Sequence, residues 1–170
     1  MKKIWLWLFA GVCFFAAVLF VVFNFVIFKP SYDKLIKKYA NEYQIEESLV
    51  FAIVKNESTF NKNAMSSSGA RGLMQLVPST AKWIAGELDE IYYDDMLFEP
   101  ETNIKYGCFY LRYLFDKFEF EDVVVCAYNA GETKVRDWLD TEGKLDKSKI
   151  DYNETKTYLE RVLADKEFFK

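Results

Sequence analysis

From Ile4 to Phe28 the chain carries one polar side chain, Asn24. At about 1.5 Å of rise per helical residue this run of about 25 residues reaches roughly 37 Å, enough to cross a ~30 Å hydrocarbon core with some tilt. A cleaved export signal is the competing reading. Such signals carry an apolar stretch of roughly 7–15 residues and then a small-x-small site. Here the run is longer and leaves through Val26-Ile27-Phe28-Lys29-Pro30. Lipid attachment at Cys13 is disfavoured because Ala10-Gly11-Val12 lacks the Leu-x-small order. The expectation is an uncleaved membrane anchor over residues 1–29 and a single domain over 30–170, long enough for one core but not two. Lys2 and Lys3 precede the run while Lys29, Lys34, Lys37 and Lys38 follow it. The positive-inside rule therefore leaves the orientation open.

The chain has no histidine. That excludes Ser-His-Asp and Cys-His relays and any His-ligated zinc or haem, so acid–base work falls to Asp, Glu, Lys or Tyr. All 26 acidic residues lie beyond Lys29, and counted from Lys29 onward they face 20 of the 22 basic ones, a net charge of about −6 for that part. A nucleic-acid binder shows a basic footprint, and none is present. The three cysteines have no metal-type spacing. Cys108 and Cys126 fall at apolar helical positions and read as buried thiols, with a disulfide left open. No metal or cofactor is expected.

Beyond Pro30 the apolar period is helical nearly throughout. Tyr32, Leu35, Ile36, Tyr39 and Tyr43 mark one face. Leu49, Val50, Ile53 and Val54 mark a second helix, from near Glu46 to near Ser58. Asn61 to Gly72, rich in Ser and Gly, reads as a loop. Pro78 opens a helix toward Ala85, as proline in a first turn can. Pro100 opens another, with Ile104, Cys108, Leu111, Leu114 and Phe115 inward. Val123 to Tyr128 fits a strand or a buried helix, and its helical neighbourhood favours helix. Val135, Trp138 and Leu139 continue the pattern, and a last helix begins near Glu154 with Tyr158, Val162 and Leu163. The predicted fold is a compact all-α domain.

Glu57 stands out. Val50, Ile53, Val54 and Glu57 occupy i, i+3, i+4 and i+7, so a carboxyl continues the apolar stripe. It also lies in a last helical turn, where the dipole disfavours negative charge. Both effects hold the proton on, as a general acid requires. A glutamate turned to solvent at a fraying helix end fits the periodicity equally well. The neighbourhood favours the acid. Between Ser58 and Gly86 there is no Asp or Glu, and the stretch is furnished with Ser, Asn, Gln and Gly of the kind that bind a neutral polyhydroxy ligand. Glycoside cleavage usually needs two carboxylates. Either a distant acid such as Glu154 supplies the second, or the substrate carries its own nucleophile.

From Glu57 onward, Glu57-Ser58-Thr59-Phe60, Ser66, Gly69 through Leu76, Pro78 and Thr80-Ala81 stand in order. Asn103-Ile104, Gly107, Tyr110-Leu111, Ala127 through Gly131, Glu154-Thr155 and Tyr158 follow. Together they resemble the soluble lytic transglycosylase catalytic domain, across about Tyr32 to Leu163. The resemblance implies a lysozyme-like α fold and cleavage of the β-1,4 bond between N-acetylmuramic acid and N-acetylglucosamine in peptidoglycan glycan strands. It implies that Glu57 protonates the leaving oxygen, then takes the proton of the muramyl C6 hydroxyl as this closes a 1,6-anhydro ring. It further implies that Met74, Gln75, Tyr128 and Asn129 line the saccharide groove, that Glu154 and Tyr158 border it, and that Ser58 positions Glu57 or a sugar substituent. An extracytoplasmic domain, tethered by a single pass, follows from such a substrate.

Plainer readings stand beside these. Met74 and Tyr128 at helical spacing are also ordinary core residues, and Glu154 suits a helix N-terminus. Gly69 and Gly72 turn the chain and also let it approach a glycan closely. The family often has a proline shortly before the Glu-Thr pair and an arginine after it. Here stand Ile150-Asp151-Tyr152-Asn153 and Lys156, which touches the far rim and not Glu57. A hydrolytic muramidase and a weakly active wall-docking subunit of an envelope apparatus are the other functions that fit the chain.

Overall fold

Each long apolar period beyond Tyr32 is a helix in the computed structural model, which describes residues 32–170 together with Gly11 and Phe15. The expected anchor lies outside the described residues. Among these, no helix is long and apolar enough to cross a membrane. Nearly all of the described residues form one compact unit, Leu35–Lys170. The helices of the described residues beyond 31 are α1 (residues 32–42), α2 (Glu47–Ser58), α3 (Pro78–Glu87), α4 (Pro100–Lys117), α5 (Glu121–Ala130), α6 (Glu132–Arg136) and α7 (Asn153–Phe169), with a 3-10 turn at Asp94–Phe98.

The middle of helix α2 is buried on every side. Ser48 to Val54 are all buried, the pattern of a helix surrounded by others. Helix α7 packs against α2 and α5, and α4 packs against α3 and α5. The valine run Val123–Val125 is helical: Glu121 and Asp122 complement the N-terminal dipole, and Gly131 at φ +90 ends α5. Pro78 and Pro100 open α3 and α4. Phe115 lies only half inward, with Arg112 over its ring at 5.5 Å. Cys108 and Cys126 are buried free thiols.

Two elements differ from the periodicity. The helical pattern at Val135 stops at Arg136, because Asp140 accepts the backbone N–H groups of Glu142 and Lys144, both at 2.9 Å, and folds a turn there. Trp138 is still buried, its indole donating to Asp151 at 3.1 Å. The 3-10 turn at Asp94–Phe98 is too short to show a period, yet it buries Leu97 completely.

Helix α7 is fastened at two places. Buried Lys166 bridges Glu121 of α5 at 2.7 Å and Glu46, just before α2, at 2.6 Å. Asp165 accepts from Lys55 at 2.5 Å and from Asn56 at 2.9 Å. These contacts hold the last turn of α2 against α7, and Glu57 follows immediately.

Candidate active site

Glu57 lies where α2 ends, at the floor of a cleft of about 420 Å³. Its Oε1 accepts the Tyr158 hydroxyl at 2.6 Å. Burial dominates its electrostatics and raises its pKa. The Tyr158 hydrogen bond opposes that rise and the Glu154 carboxylate reinforces it. The balance places Glu57 at about 7, so both protonation states are accessible near neutral pH.

The wall opposite is the loop between α2 and α3. Its course is set by Asn103 of α4, which is fully buried. The Asn103 Oδ1 accepts the Met74 N–H at 2.7 Å, and its Nδ2 donates to the carbonyls of Arg71 and Leu97, each at 2.9 Å. Gly72, at φ +76, passes so close that a Cβ would stand 2.1 Å from the Leu97 carbonyl oxygen and 2.3 Å from Asn103 Nδ2. Arg71 and Leu76 exchange backbone hydrogen bonds at 2.9 and 3.1 Å, closing the turn between them. Gln75 at its tip has φ +47, an unusual conformation for a side-chain-bearing residue. Its Nε2 donates to the carbonyls of Gly72 at 2.8 Å and Ala64 at 3.2 Å. Both amide protons are thus used, and the amide oxygen remains as its acceptor in the cleft.

The third wall is the end of α5 and the start of α7. Tyr128 donates to the Met74 carbonyl at 2.8 Å and joins this wall to the loop. The Asn129 Oδ1 accepts the Thr155 hydroxyl at 2.8 Å, which leaves its NH₂ as the donor for the cleft. Glu154 is exposed on the rim.

Of the expected residues, Glu57, Gln75, Tyr128, Asn129 and Glu154 come together around the cleft. The other three do not form part of its lining. Met74 is fully buried, and a Cβ on Gly107 would stand 2.1 Å from its sulfur, so its side chain packs on α4. The Ser58 hydroxyl donates to the carbonyls of Leu73 at 2.8 Å and Val54 at 3.1 Å and ties α2 to the loop. Tyr158 is buried and reaches the cleft only through Glu57. Conversely, Ser66, Ser68, Thr80 and Tyr110 line the cleft without having been singled out. Ser66, Thr80 and Tyr110 stand within the matching motifs. Thr155 and Asn103 act from beneath the surface, and periodicity carries no mark of that. Among the described residues no group of three His, Cys, Asp or Glu side chains could hold a metal.

Helices walling an open polar cleft around one half-neutral acid define a lysozyme-like domain. The chain belongs to the transglycosylase SLT domain family, which it matches over residues 34–151. It is 34% identical over 151 residues to the soluble lytic murein transglycosylase of Escherichia coli, covering 84% of this chain and 23% of that protein. It is 37% identical over 128 residues to the membrane-bound lytic murein transglycosylase C of Haemophilus ducreyi, covering 65% of this chain and 33% of that protein. The structure of an inactive glutamate-to-glutamine mutant of lytic transglycosylase Slt from Pseudomonas aeruginosa superposes with a TM-score of 0.77 at 31% identity. That match covers 84% of this chain and 24% of the other. The chain thus spans about a quarter of the length of the first of these relatives.

Proposed function

We propose that this chain is a peptidoglycan lytic transglycosylase in which Glu57 serves alone as acid and then base. The observation that carries the reading is the Glu57 carboxyl, lifted to about 7 by burial at the floor of a polar cleft. Protonated Glu57 gives its proton to the glycosidic oxygen as the bond from C1 of N-acetylmuramic acid breaks. The resulting carboxylate takes the proton of the C6 hydroxyl of the same sugar while O6 bonds to C1. The acid is regenerated, no water is consumed, and a 1,6-anhydro end is left. An internal nucleophile avoids the entropy of capturing a free one. The Gln75 amide oxygen and the Asn129 amide group supply an acceptor and a donor for sugar substituents. The names of the relatives support murein as substrate, and the membrane-bound relative supports a tethered form. We read residues 1–29 as that tether, raising the local concentration of an acidic domain beside an acidic wall.

Digesting purified peptidoglycan with the full-length chain and weighing the muropeptides tests the reading. Products one water lighter than reducing ends and resistant to borohydride support it. The Glu57→Gln variant releases nothing. One feature favours a hydrolytic second reading: Glu154 shares the cleft and is a second carboxylate for activating water. In that case the products are reducible and Glu154→Gln is inactive, whereas a transglycosylase retains most of its turnover without Glu154.

A further inference from the structure

Just after Glu57 the backbone does something that side-chain-bearing residues rarely do. Thr59 has φ 51 and ψ 41, and Phe60 follows at φ 61, so two consecutive residues are left-handed and neither is glycine. Glycine is the usual residue at such a helix end. Thr59 is β-branched and its side chain is exposed, so the turn is imposed by its surroundings. What it achieves is a change of face. Phe51 and Phe60 are nine positions apart, about two and a half helical turns, and an uninterrupted helix would put them on opposite sides. After the left-handed turn both are buried, with their rings 6.5 Å apart.

The surroundings that impose the turn include the last turns of α7. Tyr158, Asp165 and Phe169 stand at i, i+7 and i+11 and share the face that meets α2. The Phe169 ring stacks on Phe51 at 5.4 Å and meets Phe60 edge-on at 6.4 Å, closing a cluster of three rings. One turn earlier, Asp165 accepts from Lys55 and Asn56, the two residues before Glu57. Glu57 is thus gripped on both sides, by Asp165 through the residues ahead of it and by Phe169 through Phe60 behind it. Asp165 and Phe169 both lie beyond Tyr158, the last residue of the matching motifs.

We propose that the end of α7 is a brace that holds the left-handed turn at Thr59 and Phe60 and thereby places the Glu57 carboxyl at the floor of the cleft. Asp165 and Phe169 are then positioning residues for the reaction. The inference rests on the reading of Glu57 as the acid of that cleft.

The test is kinetic, on glycan strands with the full-length chain. Phe169→Ala lowers kcat about tenfold with KM nearly unchanged, because strands still bind but the acid is misplaced. It also moves the alkaline limb of the kcat/KM profile to lower pH. Tyr158 and Glu154 of α7 and Tyr128 of α5 face Glu57, but burial is the largest influence on it, and a loosened turn admits water. Asp165→Asn changes both quantities in the same direction, and Phe169→Tyr, which keeps the ring, restores them. The decisive variant adds Thr59→Gly to Phe169→Ala. Glycine adopts the left-handed turn without a brace, so most of the lost turnover returns, which a general packing role for Phe169 would not allow. Where Phe169→Ala does not fold, Phe169→Leu takes its place. A folded Phe169 variant with the parent's kcat and limb, or a loss that Thr59→Gly leaves uncorrected, overturns the brace and leaves the reading of the cleft intact. A parent chain that does not cleave the strands overturns both.

Discussion

Tyr158 donates its hydroxyl to Glu57 across 101 positions of sequence, at 2.6 Å. This bond favours the carboxylate in an environment that otherwise favours the acid. It favours the form of Glu57 that the proposed reaction needs in its second half, where the group acts as a base.

Removing that hydroxyl therefore raises the Glu57 pKa further. In Tyr158→Phe the alkaline limb of the kcat/KM profile on peptidoglycan, set by Glu57 at about 7 in the parent, moves to higher pH. Turnover falls about tenfold because the carboxylate loses its support. An unshifted limb would mean that Tyr158 serves packing alone.

Glu57 also makes stability depend on pH. Its pKa is raised from an ordinary 4.5 to about 7 on folding. The folded state thus binds more protons than the unfolded state between those values. The stabilisation linked to the bound proton is complete below about 4.5 and is lost as pH rises through about 7, a span of up to ~3 kcal/mol. Thermal melts of the parent and Glu57→Gln across this window should show the variant gaining on the parent as pH rises. Parallel curves would place the carboxyl in solvent.

Asn103→Ala strips three backbone groups of their partner at once. Buried groups left unpaired cost about 1–3 kcal/mol each, with partial relief from rearrangement. Chemical denaturation is expected to show a loss of about 3 kcal/mol or more, with saccharide affinity falling as the Gln75 tip loosens. Asn103→Asp retains the acceptor for Met74 but not the donors, and falls between.

Thr155→Val preserves shape at a buried position and removes the bond that orients Asn129. KM for glycan strands should rise a few-fold with kcat nearly unchanged, the signature of lost uniform binding. An unaltered KM would show that Asn129 needs no such support.

The helices were legible because their information is local. Leu49 to Val54, Ile104 to Leu114 and Tyr158 to Val162 repeat with the helical period, and Pro78 and Pro100 mark two starts. Glu57 was visible for the same reason, as a charge on an apolar stripe. The direction of the motif side chains was not legible in this way. Gln75 and Asn129 do face the cleft, whereas Met74 turns into α4 and Ser58 ties down backbone, because a motif fixes identity and order but not the direction of a side chain.

What the linear chain determined alone was the set of helices, the acidic balance, the absence of histidine and the position of the one misplaced acid. The folded arrangement decided how that acid titrates, through burial, Tyr158 and Glu154. It also chose the hidden amide of Asn103 that shapes the loop. These depend on groups as far as 101 positions apart meeting within a few ångströms, and such proximity is a property of packing that no local period encodes.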